Sequence, residues 1–200
     1  MKKLVYLISP NKINRNFYRD LDKVLSAGNV NFFQLRLKKI KKAEIIRIGR
    51  KIKKITKKHK VKLIINDYPD ISKIITADGF HIGQKDKPII NMKRYHKKKI
   101  IGITCHNSKG LAKTAMKNKA SYLAFGSFFK SKLKPQAKNT DLNILKWAKK
   151  NIKKPIVAIG GINNLNYKKL IKSGAKYIAI SSFIWDNPKL KPEIAIKKFK

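Results

Sequence analysis

Short runs of apolar residues alternate along this chain with longer segments in which apolar residues recur at helical spacing among lysines. The apolar runs are continuous rather than alternating, which is typical of strands buried on both faces of a parallel sheet. They predict eight strands, over residues 5–9, 30–37, 63–65, 79–82, 100–104, 122–125, 155–159 and 177–180.

The remaining segments predict helices over residues 16–27, 43–56, 71–76, 92–96, 111–118, 141–150, 165–173 and 192–199. In the helix over 43–56, Ile45, Ile48, Ile52 and Ile55 recur at the spacing of one helix face. Eight units of strand and helix predict an α/β fold, a single (β/α)8 TIM barrel. An open doubly wound sheet is the alternative.

Length and composition predict one domain over residues 1–200. A chain of this length can bury a sizeable core, and no linker or low-complexity segment interrupts it. No apolar run is long enough to cross a membrane, and the run after Met1 is too short for the core of a signal peptide. The single cysteine, Cys105, excludes an internal disulfide. We therefore expect a cytoplasmic protein, either monomeric or homo-oligomeric.

The formal charge of +40 suggests a basic nucleic-acid-binding protein as a distant alternative. Only six of the 50 basic residues are arginines, although arginine is the better residue for bidentate contacts to phosphates and bases. The lysines are spread over predicted helix faces, as on a solvated surface. We therefore expect no specific nucleic-acid partner, although such a surface would attract small anionic substrates.

Acidic residues are scarce, and four of the ten lie between residues 62 and 86. Asp67 follows Asn66 at the end of the third predicted strand, and Asp86 follows the fourth strand. Carboxylates at adjacent strand ends can hold Mg²⁺, which prefers oxygen ligands and shares them with substrate phosphates. We therefore predict a magnesium site at Asp67 and Asp86, and leave out Asp70 and Asp78. In the alternative interpretation Asp67 is a helix N-cap and Asp86 a surface acid.

Gln34, Arg36 and Lys38 occupy alternate positions at the end of the second predicted strand. A period of two points all three side chains to the same face. Two cations on one inward face are costly to bury without an anion, and a phosphate or pyrophosphate is the natural partner. A structural ion pair of one arginine is the alternative.

Polar residues also follow the later strands. Thr104 and His106 follow the fifth strand, and His106 could act as an acid or base. Gly160-Gly161 and Ser181-Ser182 follow the seventh and eighth strands, where barrels commonly bind phosphate. His81, within the fourth strand, is interpreted as a packed, hydrogen-bonded residue, and Cys105 as a small packed one.

Several of these segments occur together in one known family. They are Gln34-Leu35-Arg36-Leu37-Lys38, Asn66-Asp67, ADGFHIGQKD over 77–86, GITCH over 102–106, AIGGI over 158–162 and the serines after the eighth strand. In this order, over nearly the whole chain, they resemble the thiamine-phosphate synthase family. The resemblance implies a (β/α)8 barrel. It also implies a transferase that joins hydroxymethylpyrimidine pyrophosphate to a thiazole phosphate by ionisation and trapping of the pyrimidine cation, with release of pyrophosphate.

The resemblance also implies roles for individual residues. The residues that would bind the pyrimidine pyrophosphate are Gln34, Arg36, Lys38, Asn66, Thr104 and Lys134, of which Arg36, Lys38 and Lys134 would be catalytic. Those that would bind the thiazole phosphate are Ser131, Gly161, Ser181 and Ser182. Mg²⁺ is the implied cofactor, held by Asp67 and Asp86.

The loop after the sixth strand departs from the family's pattern of a proline followed by Thr-x-Thr-Lys. It reads Lys130-Ser131-Lys132-Leu133-Lys134, so that Leu133 lacks the second hydroxyl and the affinity for thiazole phosphate is an open question. The alternative within this resemblance is a TenI-like thiazole tautomerase or regulator, in which His106 would be the acid or base. Those relatives lack the counterparts of Lys38, Asp67 and Asp86, so these residues favour the synthase.

Overall fold

The computed structural model describes residues 3–84, 99–130 and 140–200. Within these ranges eight parallel strands close into a barrel in chain order, which confirms the predicted TIM barrel. The strands are β1 (Val5–Ile8), β2 (Val30–Leu35), β3 (Lys62–Asn66), β4 (Gly79–Ile82), β5 (Ile100–His106), β6 (Tyr122–Gly126), β7 (Ile156–Ile159) and β8 (Tyr177–Ile180). The first strand pairs with both the second and the last, and this pairing closes the barrel.

Helices cover the outside of the barrel. They are α1 (Phe17–Ser26), α2 (Lys42–Lys58), α3 (Pro69–Ile74), α4 (Lys109–Lys117), α5 (Asn143–Asn151), α6 (Tyr167–Lys172), α7 (Ser182–Trp185) and α8 (Pro192–Ala195). The sequence did not indicate α7, and the last predicted helix is divided into α8 and a 3-10 turn, Ile196–Lys198. The predicted helix over 92–96 lies outside the described residues. No helix in the described part of the chain has the length and apolar character needed to cross a membrane.

The barrel has two apolar layers, because successive side chains of a strand point to opposite faces. On β2, Phe33 and Leu35 pack outward in the large cluster between the sheet and the helices. Phe32 points inward, to a second cluster inside the barrel. Burial of Ile45 and Ile52 shows that α2 places its isoleucine face against the outer layer.

Aromatic rings fill much of the barrel interior. The ring of Phe32 lies 5.3 Å from that of Tyr6, 5.8 Å from that of Tyr122 and 5.3 Å from that of Tyr177, measured between centroids. Gly102 makes room for one of them, since a Cβ at this position would lie 2.0 Å from the Tyr122 ring. The packed interior leaves the carboxyl ends of the strands as the open end of the barrel, where such folds place their sites.

Candidate active site

The end of β2 carries three of the predicted site residues. Gln34 is buried inside the barrel, where it lines a central cavity of about 20 Å³. Arg36 follows the strand, and its backbone N–H donates to the Ser9 hydroxyl at 3.0 Å. The Arg36 guanidinium makes no hydrogen bond or ion pair with any residue that the structure describes. Lys38 lies further out and forms an ion pair with Asp67.

Asp67 directly follows β3 in a left-handed conformation, with φ of 65°. Its backbone N–H donates to the carbonyl oxygen of His81 at 2.8 Å, so the residue is held between β3 and β4. Only 12% of the Asp67 side chain is exposed, against 50% of Lys38. The helix that follows begins at Pro69 with Tyr68 as its N-cap, so Asp67 does not have the capping role of the alternative interpretation.

The other acids of this segment have structural partners. Asp70 pairs with Lys42 at 2.7 Å on the surface. Asp78 pairs with Lys53 at 2.7 Å and accepts the backbone N–H of Leu63 at 2.9 Å, before β4 begins. Of the acids of this segment that the structure describes, Asp67 is therefore the one at the carboxyl end of a strand.

The end of β5 contributes Thr104 and His106. The Thr104 hydroxyl lies 2.8 Å from His81 Nε2, and the Gln84 amide donates to the Thr104 carbonyl oxygen. His106 ends the strand with φ of 50° and an exposed side chain. Cys105, between them, is fully buried, and burial raises the pKa of its thiol to about 12. At neutral pH the thiol therefore stays protonated, which excludes a thiolate nucleophile here.

A turn of two glycines follows β7. Gly160 and Gly161 have φ of 110° and 60°, a region that side chains disfavour. A Cβ on Gly161 would lie 2.3 Å from the carbonyl oxygen of Lys130. The turn therefore packs directly against the residue that precedes the segment 131–139. Ser131 and Lys134 belong to that segment and lie outside the described residues.

The end of β8 meets the end of β1 through two hydrogen bonds. The Ser181 hydroxyl donates to the carbonyl oxygen of Ser9 at 3.1 Å, and the Trp185 indole N–H donates to that of Ile8 at 2.7 Å. The Ser181 hydroxyl thus donates its hydrogen bond within the protein. Ser182 begins α7.

Comparison with known proteins decides the family. The sequence profile of the family described as thiamine monophosphate synthase matches residues 5–184. The chain belongs to this family. The thiamine-phosphate synthase of Pelagibacter ubique is 54% identical over 200 residues, which cover 100% of this chain and 97% of that protein. The thiamine-phosphate synthase of Clostridium acetobutylicum is 36% identical over 195 residues, with coverage of 96% and 92%.

A solved structure agrees with the sequence relatives. Thiamine phosphate pyrophosphorylase from Pyrococcus furiosus superposes with a TM-score of 0.86 at 27% identity, covering 98% of this chain and 93% of that one. The resemblance in the motifs is therefore confirmed, and with it the transferase class of this thiamine monophosphate synthase family member.

The strand order brings the predicted residues of this family member into two neighbouring groups. One group lies in or just after β2, β3 and β5 and consists of Gln34, Arg36, Lys38, Asn66, Asp67 and Thr104. The other follows β7 and β8 and consists of Gly161, Ser181 and Ser182. Ser9, at the end of β1, connects them, because its hydroxyl accepts from Arg36 and its carbonyl oxygen accepts from Ser181.

The residues at the end of β3 fit the Mg²⁺ that the family implies. Asp67 offers a hard carboxylate ligand, and its Oδ1 bonds none of the described residues while Oδ2 pairs with Lys38. One or two carboxylates plus substrate phosphates are a common ligand set for Mg²⁺. The described residues contain no group of three or more His, Cys, Asp or Glu that could hold a metal alone. The second predicted ligand, Asp86, lies outside them.

Sequence reasoning missed a line of polar side chains inside the barrel. Gln34 Nε2 donates to Tyr6 Oη at 3.1 Å, and Tyr6 Oη lies 2.6 Å from Tyr122 Oη. His81 Nδ1 lies 3.0 Å from the same Tyr122 oxygen. The available signal was a tyrosine on an inward strand position, since a buried phenol usually finds a hydrogen-bond partner. The predicted packed, hydrogen-bonded character of His81 is confirmed.

Proposed function

We propose that this protein catalyses the formation of thiamine phosphate from hydroxymethylpyrimidine pyrophosphate and thiazole phosphate, with Mg²⁺ as cofactor. The C–O bond between the pyrimidine methylene and the pyrophosphate breaks, and its electron pair leaves with the pyrophosphate. The thiazole nitrogen then supplies the electron pair for the new C–N bond. Family membership supports the reaction, and the residues at the strand ends support where it occurs.

The observation that carries the proposal is the guanidinium of Arg36. It forms no ion pair with a carboxylate among the described residues. The next charged residue after β2, Lys38, does form one, with Asp67. Arginine binds phosphates with two parallel hydrogen bonds, which suits a departing pyrophosphate better than a lysine alone. Preorganised cations of this kind stabilise the charge that develops on the leaving group.

The remaining residues have proposed roles in binding and orientation. Gln34, Asn66 and Thr104 would hold the pyrimidine pyrophosphate, and Lys134 would assist its departure. Ser131, Gly161, Ser181 and Ser182 would hold the thiazole phosphate. Orientation of the two reactants is itself a large part of such catalysis.

Asp67 and Asp86 would hold Mg²⁺, which supplies further positive charge to the pyrophosphate when bound. Both proposed substrates are small phosphorylated molecules. The single, buried Cys105 fits the reducing cytoplasm that we propose as the location.

Purified protein tests the proposal directly. With both substrates and Mg²⁺, we expect thiamine phosphate and pyrophosphate in equal amounts, measured by chromatography. Reactions that lack one substrate or contain a chelator are the controls, and they should give no product. Absence of product with all components present would overturn the proposal. Isomerisation of a thiazole carboxylate phosphate, lost in His106→Ala, would instead support the tautomerase.

A further inference from the structure

Hydrogen bonds run across the barrel interior from Gln34 on β2 to Thr104 on β5. We propose that this relay, through Tyr6 and Tyr122, fixes the direction of the Gln34 amide and makes the site prefer an aminopyrimidine over an oxopyrimidine. The inference rests on the proposed function, in which Gln34 contacts the pyrimidine. Tyr6 and Tyr122 act as positioning residues.

The relay begins at the Gln34 amide. Its Nε2 donates to Tyr6 Oη at 3.1 Å, and its Oε1 bonds none of the described residues. Among the described side chains, the one fully buried polar atom without a hydrogen-bond partner is Asn29 Oδ1. Gln34 Oε1 also has no partner there, so it must be accessible to a small probe. Gln34 lines the central cavity. The amide therefore offers a ligand its oxygen, an acceptor.

The bond from Gln34 determines the direction of the hydrogen bond between Tyr6 and Tyr122. The Tyr6 oxygen accepts the proton of Gln34, and the Tyr122 oxygen, at 2.6 Å, is the other hydrogen-bond partner of Tyr6 among the described residues. Tyr6 is 2% exposed, and a buried hydroxyl without an acceptor is costly. Tyr6 therefore donates to Tyr122. Burial raises the pKa of both phenols well above its ordinary value, so both keep their protons.

Tyr122 in turn directs His81. The buried Tyr122 hydroxyl needs an acceptor for its own proton, and because Tyr6 donates to it, the acceptor is His81 Nδ1 at 3.0 Å. A neutral imidazole that accepts at Nδ1 carries its proton on Nε2. This proton is donated to Thr104 Oγ1 at 2.8 Å. Every donor in the relay points away from Gln34, so the amide cannot turn unless all of them reverse.

The fixed direction selects the chemistry of the ligand. An exocyclic amino group on the pyrimidine donates to the Gln34 oxygen. An oxo group at the same position is an acceptor, and the two oxygens would face each other without a proton. The Thr104 hydroxyl, which accepts from His81, keeps its own proton for a ring nitrogen. Sites built to satisfy a substrate's hydrogen bonds discriminate strongly against an analogue that cannot form them.

The experiment compares the aminopyrimidine pyrophosphate with its oxo analogue. The ratio of kcat/KM for the two, and the ratio of Kd by calorimetry, are measured in the wild type, Tyr6→Phe and Tyr122→Phe. The control is Tyr177→Phe, since Tyr177 packs on Phe32 in the same interior and its hydroxyl bonds none of the described residues. Melting temperatures report any loss of folding.

Each variant has a distinct expected result. Tyr6→Phe frees the amide to turn, so the preference for the amino compound falls by about tenfold, the effect of one hydrogen bond. Tyr122→Phe leaves the Tyr6 proton to be donated to Gln34, which turns the amide, so the preference falls further. In Tyr177→Phe the preference is unchanged. Adding Gln34→Glu to Tyr122→Phe restores it, because a carboxylate presents an oxygen in either orientation.

Two results would count against the inference. An unchanged preference in Tyr6→Phe and Tyr122→Phe would show that the relay does not set the amide. An equal loss in Tyr177→Phe would assign the effect to general packing. A wild type that binds the amino compound selectively but forms no product would overturn the proposed function and leave the inference standing.

Discussion

The side chains of the candidate site differ in whether other residues of the protein already pair with them. The Arg36 side chain bonds none of the described residues, whereas Lys38 is balanced by Asp67. The Ser181 hydroxyl donates a hydrogen bond to the carbonyl oxygen of Ser9. Among the described residues of the candidate site, Arg36 is therefore the cation without an acidic partner, which suits the anion-binding role proposed for it.

Replacing Arg36 tests its part in the departure of pyrophosphate. We expect Arg36→Ala to lower kcat/KM by about 10²- to 10³-fold, the usual effect of losing one preorganised group that stabilises developing charge. Arg36→Lys should recover part of the loss, because it keeps the charge without the bidentate geometry. Steady-state kinetics provide the measurement. Arg47→Ala is the control, since Arg47 pairs with Glu44 at 2.6 Å on the exposed face of α2. Equal effects of the two alanine variants would contradict the assignment.

Replacing Asp67 tests the magnesium assignment. Asp67→Asn keeps the shape of the side chain but removes the charge, so we expect the Mg²⁺ concentration for half-maximal rate to rise at least about tenfold. A magnesium titration of the rate provides the measurement, with calorimetric titration of the metal and pyrophosphate as a second readout. The control is Asp70→Asn, whose parent residue pairs with Lys42 on the surface. An unchanged magnesium dependence would remove Asp67 from the metal site.

Sequence reasoning found residues whose position follows from the strand period, and missed those that depend on closure of the barrel. Gln34 lies on an inward position of β2, as the period of two predicts, whereas Arg36 and Lys38 lie beyond Leu35, where the strand ends. The bond between Tyr6 and Tyr122 joins positions 116 residues apart, on strands that face each other only once the barrel has formed. A pattern of neighbouring residues cannot predict a contact between positions so far apart in the sequence.

At the scale of elements, contacts between distant parts of the chain also explain why some strands and helices end elsewhere than predicted. The apolar pattern continues to Leu37, but β2 ends at Leu35, where its pairing with β3 also stops. The last helix was predicted to continue to residue 199. The Asn29 amide instead donates to the carbonyl oxygens of Ile196 at 3.0 Å and Phe199 at 2.7 Å, and a 3-10 turn follows α8.

Asp78 ties α2 to the base of the barrel and is expected to matter for stability. Its carboxylate pairs with Lys53 of α2 and accepts the N–H of Leu63 on β3. We expect Asp78→Ala to lower the free energy of unfolding by about 1–3 kcal/mol, because it leaves both donors without their acceptor. Urea denaturation provides the measurement. Asp186→Ala is the control, since its exposed carboxylate bonds none of the described residues, and an equal loss there would contradict this role.

The stabilisation that the Asp78 carboxylate provides should depend on pH. Burial disfavours its charge, but the hydrogen bonds from Lys53 and the Leu63 N–H outweigh burial and hold the pKa of Asp78 below its ordinary value. A lowered pKa in the folded state stabilises the protein above the pKa of the unfolded state, and this stabilisation is lost as the pH falls through the folded value. We therefore expect the difference in unfolding free energy between the wild type and Asp78→Ala to shrink below about pH 4. A constant difference down to acid pH would contradict this.

At the scale of the whole molecule, one charge sign dominates. The formal charge of +40 produces a field that attracts small anions. The described surface lysines pair with few acids, since the chain has ten acids for 50 basic residues. Such a field accelerates association and is screened within about 8 Å at physiological ionic strength.

Salt therefore distinguishes a charged surface from a nucleic-acid site. We expect binding of a DNA duplex to weaken by on the order of 10³-fold or more between 50 and 200 mM salt, as for contacts to phosphates alone. Over the same range kcat should change little, because in the proposed mechanism Arg36 acts on a pyrophosphate already bound in the barrel. KM for that substrate should rise. Fluorescence anisotropy and steady-state kinetics in one salt series measure both. A duplex affinity that hardly changes between 50 and 200 mM salt would contradict the surface interpretation, since binding through phosphate contacts alone weakens steeply with salt.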